Sequence, residues 1–117
     1  SSSDIMKADS GASKTYLKSA HKKYLHDVNI LQNGPSATLP NNSTIQANIK
    51  GVLPLHPNLN PQALVFPNLE SESLLSIGQI CDDGCIALFD DKVLKVYKND
   101  TEIRNLLREH KQHNLVL

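Results

Sequence analysis

Tryptophan is absent from the chain, and two phenylalanines and three tyrosines leave aromatic residues at 4% of its 117 residues. Hydrophobic residues still account for 39%, so a packed core has to consist mainly of aliphatic side chains. The length fits one domain. Because a domain of this size buries a modest share of its surface, we expect it to rely in part on a partner such as a second copy of itself.

An excess of positive charge is also absent. Twelve lysines and arginines balance twelve aspartates and glutamates, whereas phosphate neutralisation supplies most of the affinity of a nucleic-acid-binding domain. Lys22 and Lys23 form a small basic cluster that is typical of a solvated face. We therefore expect no direct nucleic-acid binding.

Cysteine is scarce, and long apolar runs are missing. Cys81 and Cys85 in "ICDDGC" give neither a disulfide framework nor the second ligand pair of a zinc site. No segment is long and apolar enough to cross a membrane, and the opening "SSSDIMK" lacks the apolar core of a signal peptide. The sequence predicts a cytoplasmic protein with reduced thiols and no membrane contact.

Alternating apolar and polar residues predict strands over much of the chain. Residues 45–55 place every second side chain, from Ile45 to Leu55, on one apolar face. The turn formers "PNNS" precede them, which predicts a β-hairpin with its tip at residues 40–43. A second hairpin is expected over "CIALF", "DDK" and "VLKVY", with Asp90 and Asp91 in its turn.

Two segments change to helical spacing. Residues 17–28 carry apolar side chains three to four residues apart, with Ser19 as a candidate N-cap. Ile103, Leu106 and Leu107 lie on one stripe of a terminal amphipathic helix, which "NDTE" begins with capping-box-like spacing. The sequence thus predicts an all-β domain over residues 1–100 with one or two short helices, followed by a helix or linker at 101–117.

The tripeptide Asp9-Ser10-Gly11 by itself is typical of an ordinary turn, in which the aspartate accepts backbone N–H bonds. Its context resembles a known family. "ADSGASKTYL", "TLPNNSTIQANIKGVLPL", "LVFPNLESESLLSIGQICDDG" and "CIALFDDKVLKVYKN" occur in the order of the catalytic loop, flap hairpin, "NLLSV-x-QL"-type segment and following strand pair of another protein group. Together they resemble the retropepsin-type aspartic protease of copia-type retrotransposon Gag-Pol polyproteins, over residues 8–99.

This resemblance implies a small closed acid-protease barrel and a homodimer in which each chain supplies one Asp9. Asp9 of one copy would act as general base on water while the other copy's carboxylate polarises the scissile carbonyl, without metal or cofactor. Ser10 would bond across the two loops, and Gly11 would let backbone N–H groups approach. The flap tip would cover an extended peptide or polyprotein substrate with Asn41, Asn42, Ser43 and Thr44.

Further positions follow from the same resemblance. Ser13 would orient the Asp9 loop, and Ile77 with Gly78 would pack behind it. Only eight residues precede Asp9, whereas retroviral relatives have a longer N-terminal segment that helps to build the dimer sheet. The chain also runs past the expected end of a minimal retropepsin, which suggests a piece of a longer polyprotein. By the same resemblance, this protein would be located in the cytoplasm, including virus-like particles.

Other functions remain open on the sequence. The domain is alternatively a catalytically inactive or host-adopted relative that binds peptide or dimerises, or an unrelated β-rich interaction domain. His21 and His26, like His110 and His113 at the other end, lack the partners that would specify zinc. We interpret these histidines as surface residues.

Overall fold

The protein is described by a computed structural model that covers residues 4–109 and 111–117. The expected all-β class is confirmed, and among the elements described in these ranges two short helices interrupt the strands: a 3₁₀ helix at Ser19–Tyr24 and α1 at Ile77–Asp82. The strands of the described residues are β1 (Ile5–Asp9), β2 (Thr15–Leu17), β3 (His26–Ile30), β4 (Ser36–Thr38), β5 (Thr44–Gln46), β6 (Ile49–Val52), β7 (Gln62–Val65), β8 (Ser73–Ser76), β9 (Cys85–Phe89), β10 (Val93–Lys98), β11 (Thr101–Glu109) and β12 (Gln112–Val116).

Ten strands form one sheet in the order β3-β6-β7-β2-β8-β1-β12-β11-β10-β9. Laid flat at about 4.8 Å per strand, they would span about 43 Å. Since the whole molecule measures 39 × 30 × 27 Å, the sheet is curved around its core. The expected closure into a barrel is not observed. The edge strands of the sheet are β3, which pairs with β6, and β9, which pairs with β10, and among the described residues no ladder joins β3 to β9.

The main core is aliphatic, as the composition requires. Its largest fully buried members include Met6, Leu17, Leu75, Leu94 and Leu106, which come from both halves of the chain. A smaller cluster of Ile45, Ala47, Phe66 and Leu69 lies under the β4–β5 hairpin. In it the ring of Phe66 meets that of Tyr16 edge to face at 4.8 Å.

The predicted hairpin at residues 40–43 is confirmed. Strands β4 and β5 pair antiparallel as a separate two-stranded sheet. The alternation over residues 45–55 is also confirmed in burial, because every second residue from Ile45 to Leu55 is buried. The segment nevertheless divides between two sheets, since β5 belongs to the hairpin and β6 to the large sheet.

The helix predicted over residues 17–28 is mostly wrong. Only Ser19–Tyr24 is helical, as a 3₁₀ helix, and Lys18 rather than Ser19 stands at its cap. Strand β3 begins at His26 and pairs with β6. His21 is fully buried. The three-to-four-residue spacing of apolar side chains in this segment therefore comes from one buried 3₁₀ turn followed by the edge strand β3.

The terminal helix predicted over residues 101–117 is also wrong, because this segment forms β11 and β12 of the large sheet. Its start is a tight hairpin turn at Asn99 and Asp100, both with positive φ, rather than a helix cap. A β-bulge shifts the register of β11 by one residue. Ile103 and Leu106 are therefore both buried at a spacing of three, which imitates a helical period.

Glycine 34 provides a test of the packing under the hairpin. A Cβ at this buried position would collide with the backbone carbonyl of Ala47, which cannot move without disturbing the smaller cluster. We expect Gly34→Ala to lower the free energy of unfolding by about 2 kcal/mol or more, measured by urea denaturation with circular dichroism.

Gly78→Ala is the matched control, since its Cβ would lie 3.8 Å from the nearest atoms, an ordinary contact at the start of a helix. Its stability should stay the same or rise by up to about 1 kcal/mol. Equal urea midpoints for the two variants would contradict the tight approach at Gly34.

Candidate active site

Asp9 is the last residue of β1, in the middle of the large sheet. Strand β8 runs parallel to β1 on one side and places Ser76 opposite Asp9. Strand β12 runs antiparallel on the other side, with Lys7 opposite Asn114. The half-buried Asp9 therefore begins a loop, residues 9–14, and its own register is fixed by β8, whereas the ladder with β12 ends at Lys7.

The carboxylate of Asp9 takes part in the turn that the tripeptide predicts. Its Oδ1 accepts a hydrogen bond of 2.7 Å from the backbone N–H of Gly11. A Cβ at position 11 would lie 3.3 Å from the same oxygen, which is a tight contact. Glycine at position 11 thus leaves room for the carboxylate in this orientation, while Ser10 and Gly11 are themselves exposed.

Ser76 forms a hydrogen bond with the Asp9 loop at Ala12. Its hydroxyl donates to the carbonyl of Ala12 at 2.6 Å and accepts from the N–H of Gln79 at 3.0 Å. Because Ser76 is fully buried, these bonds are shielded from water. The same hydroxyl therefore joins the Asp9 loop to the first turn of α1.

Thr15 and Gln79 form a second set of bonds at the end of the loop. The Oε1 atom of Gln79 accepts from the N–H of Thr15 at 3.0 Å and from its hydroxyl at 2.8 Å. The amide nitrogen of Gln79 donates to the carbonyl of Gln62 at 2.8 Å. The N–H of Ser76 in turn donates to the Thr15 hydroxyl, so the loop is bonded to β7, β8 and α1 together.

The apolar-glycine element lies where the resemblance implies. Ile77 is buried, and the Cα of Gly78 is close enough to the loop that a Cβ would contact the carbonyl of Ala12 at 3.8 Å. Ser13 is exposed and lines a cavity of about 230 Å³ with Lys50 and Gln62. Its expected role in orienting the loop stays a prediction.

The four predicted substrate-binding residues lie together at the β4–β5 tip. Asn41 Oδ1 accepts from the N–H and the hydroxyl of Ser43 at 2.9 and 2.5 Å. Asn42 adopts a positive φ of 67°, and Thr44 begins β5. All four residues are exposed.

The structure of the single chain does not bring these two groups of residues together. The hairpin tip borders a cavity of about 570 Å³ whose other walls include Asn68, Glu70 and Ser71. Ser10 borders a different cavity, which includes Phe89 and Arg108. Hence the Asp9 loop and the hairpin tip line separate cavities.

The remaining candidates have structural explanations. Asp90 Oδ1 accepts from the N–H groups of Lys92 and Val93 at 2.7 Å each, which confirms its expected place in a hairpin turn. The N–H of Val93 and then that of Lys92 hold the pKa of Asp90 below its usual range. Burial raises the pKa of the Cys85 thiol, which makes it a weak nucleophile.

Two of the histidines, His21 and His113, are buried rather than on the surface as expected, whereas His26 is exposed as expected. His21 is buried, and its Nδ1 lies 2.6 Å from the hydroxyl of Ser73. His113 is also buried, His26 is exposed beside Asp27, and His110 lies outside the described residues. Within residues 4–109 and 111–117, no three His, Cys, Asp or Glu side chains are grouped to hold a metal ion.

In the same described ranges, no helix has the length and apolar character needed to cross a membrane.

Comparison with known proteins gives no match: no family model, curated protein or solved structure matches the chain.

Sequence reasoning missed Thr15 and Gln79, whose polar side chains carry no motif of their own. Replacing Gln79 by Ala leaves the N–H and hydroxyl of Thr15 without their acceptor in a site that is largely closed to water. We expect a loss of about 1–3 kcal/mol in the free energy of unfolding and faster hydrogen exchange at Thr15.

Gln62→Ala is the control, because only the backbone carbonyl of Gln62 takes part in this network. Its exchange rates across residues 9–15 should match those of the unchanged protein. Unaltered exchange at Thr15 in Gln79→Ala would show that the network does not hold the loop.

Proposed function

We propose that the protein is an aspartic endopeptidase that works as a homodimer, with one Asp9 from each chain. The observation that supports this proposal best is the position of Asp9 at the end of β1, in a loop bonded to β8 and α1 through Ser76 and Gln79. A carboxylate needs this kind of fixed support to face a second carboxylate at short distance.

The chemistry requires two carboxylates. Two carboxyl groups that lie close together do not both ionise readily, because their negative charges repel each other, so the pair shares one proton. The ionised carboxylate removes a proton from water, which attacks the scissile carbonyl, while the protonated carboxylate polarises that carbonyl and its proton passes on towards the leaving amine. Each step uses groups that the two chains supply.

The single chain offers one Asp9, so a second copy has to complete the site. Asp90 borders the cavity beside Ser10, but its Oδ1 is already occupied by two backbone N–H groups of its own turn. A two-fold axis next to Asp9 would place the partner's Asp9 opposite. The exposed Ser10 and Gly11 leave this end of β1 accessible to such a partner.

The substrate class in this proposal is an extended peptide segment of a retroelement polyprotein. The β4–β5 hairpin is a suitable cover because it forms its own two-stranded sheet, joined to the rest through the smaller apolar cluster. In a lid of this kind the tip moves while the base stays packed. The cytoplasm, including virus-like particles, is the proposed location.

Asp9→Asn tests the catalytic role with the least structural change, because the asparagine Oδ1 also accepts from the N–H of Gly11. We expect cleavage of the precursor polyprotein to fall by roughly 10³-fold or more, with the same dimer population in sedimentation analysis. Asp91→Asn, on the exposed β9–β10 turn, is the control and should cleave normally.

The rate of the unchanged enzyme should fall at both acidic and neutral-to-basic pH, since one carboxylate has to be ionised and one protonated. A monomer at every concentration tested, or an Asp9→Asn variant as active as the unchanged chain, would contradict the proposal. A dimer that binds peptide without cleaving it would instead support the inactive, peptide-binding alternative.

A further inference from the structure

A cavity of about 280 Å³ lies directly beside the Asp9 loop. Ala8 and Ser10, the two neighbours of Asp9, contribute to its wall on one side. The rest of the wall comes from the end of β9 and its following turn, from β11 and from the start of β12. It includes Phe89, Asp90, Arg108, Lys111 and His113. This volume is just below the range of about 300–1,000 Å³ for sites that take whole drug-sized ligands, so it suits a single side chain.

The cavity has an excess of positive charge. Arg108 and Lys111 are exposed cations, and the described residues show no ion pair within 4.0 Å for either of them. Asp90 is the one acidic residue of the wall, and two backbone N–H groups already bind its Oδ1. Arg108 and Lys111 therefore give the wall two positive charges against the one negative charge of Asp90.

His113 adds an unsatisfied polar atom to this wall. The residue is 8% exposed, and its Nε2 is buried without a hydrogen-bond partner among the described residues. It lies directly opposite Arg108 in the β11–β12 pairing, and the ring of Phe89 meets its ring edge to face at 5.4 Å. A buried nitrogen of this kind costs stability unless a partner reaches it.

We propose that this cavity is a substrate subsite that binds the carboxylate of a glutamate or aspartate side chain close to the scissile bond. The inference rests on the proposed endopeptidase function and names its substrate preference. The Arg108 guanidinium offers a planar fork that matches a carboxylate. Lys111 adds a second charge, and the apolar ring of Phe89 covers the methylene groups of the incoming side chain.

The location of the cavity makes this preference specific to one position of the peptide on each side of the scissile bond, because each chain of the dimer carries one such cavity. In an extended substrate, neighbouring side chains point to opposite faces and advance by about 3.4 Å per residue. A peptide whose scissile carbonyl lies between the two Asp9 carboxylates therefore directs one nearby side chain on each side of the scissile bond towards an Arg108. The acidic preference should consequently appear at two positions related by the two-fold axis, one on each side of the cleaved bond.

A positional-scanning library of fluorogenic octapeptides tests the inference with the full-length chain. Each position is fixed in turn as Glu, Asp, Gln, Asn or Lys, and kcat/KM is compared between the charged residue and its neutral amide. We expect Glu or Asp to exceed Gln or Asn by roughly 10- to 100-fold at one position on each side of the cleaved bond. In the double variant Arg108→Gln with Lys111→Gln, this ratio should fall to nearly one.

Two further variants keep the result interpretable. Lys92→Gln removes a nearby cation whose side chain does not line the cavity, so its ratio should equal that of the unchanged chain. Arg108→Lys keeps the charge but loses the fork, and it should give an intermediate ratio even if the double variant does not fold.

Several outcomes would overturn the inference. Cleavage without an acidic preference, or a preference that survives loss of both cations, would remove the subsite while leaving the endopeptidase intact. Loss of the dimer in the double variant by sedimentation would mean that these cations hold the second copy instead. Failure of the unchanged chain to cleave any peptide would overturn the proposed function, and the subsite with it.

Discussion

The parallel pairing of β1 with β8 is the constraint on which the site depends. It sets Ser76 opposite Asp9 and carries the chain directly from Ser76 into α1, whose first turn bonds the loop through Gln79. Parallel strands cannot be joined by a tight turn and need a crossover connection. Here residues 10–72 form that connection, and they include β2, the β4–β5 hairpin and the smaller cluster.

The other edge of β1 is occupied by β12, which pairs with residues 5–7, so two distant parts of the chain hold the strand that ends at Asp9. The meander β9–β12 extends the sheet beyond β1. Beside the Asp9 loop, β11 supplies Arg108, β12 supplies His113, and Lys111 lies just before β12. The segment expected to be a separate helix is instead one wall of the candidate site. Its charges are close to Asp9 because β11 and β12 pair antiparallel and contribute to the cavity that Ala8 and Ser10 also line.

The sequence predicted features that depend on local chemistry. The Asp90 turn and the hairpin tip at residues 40–43 both follow from side chains that bond to their own backbone or from residues that tolerate positive φ. Features that depend on distant partners were missed. The bulge in β11 imitated a helical period, and the buried bonds of Gln79 and His21 have no local sequence signal.

The pairing of β1 with β12 also has a consequence for the order of events during synthesis. Met6 pairs with Leu115, more than a hundred residues later in the chain, and contacts of such separation form late because a large loop has to close first. Strand β1 leaves the ribosome early but waits for almost the whole domain before its second neighbour arrives. The ribosome therefore releases the Asp9 loop long before its last structural support, which delays the completed site until translation has passed β12.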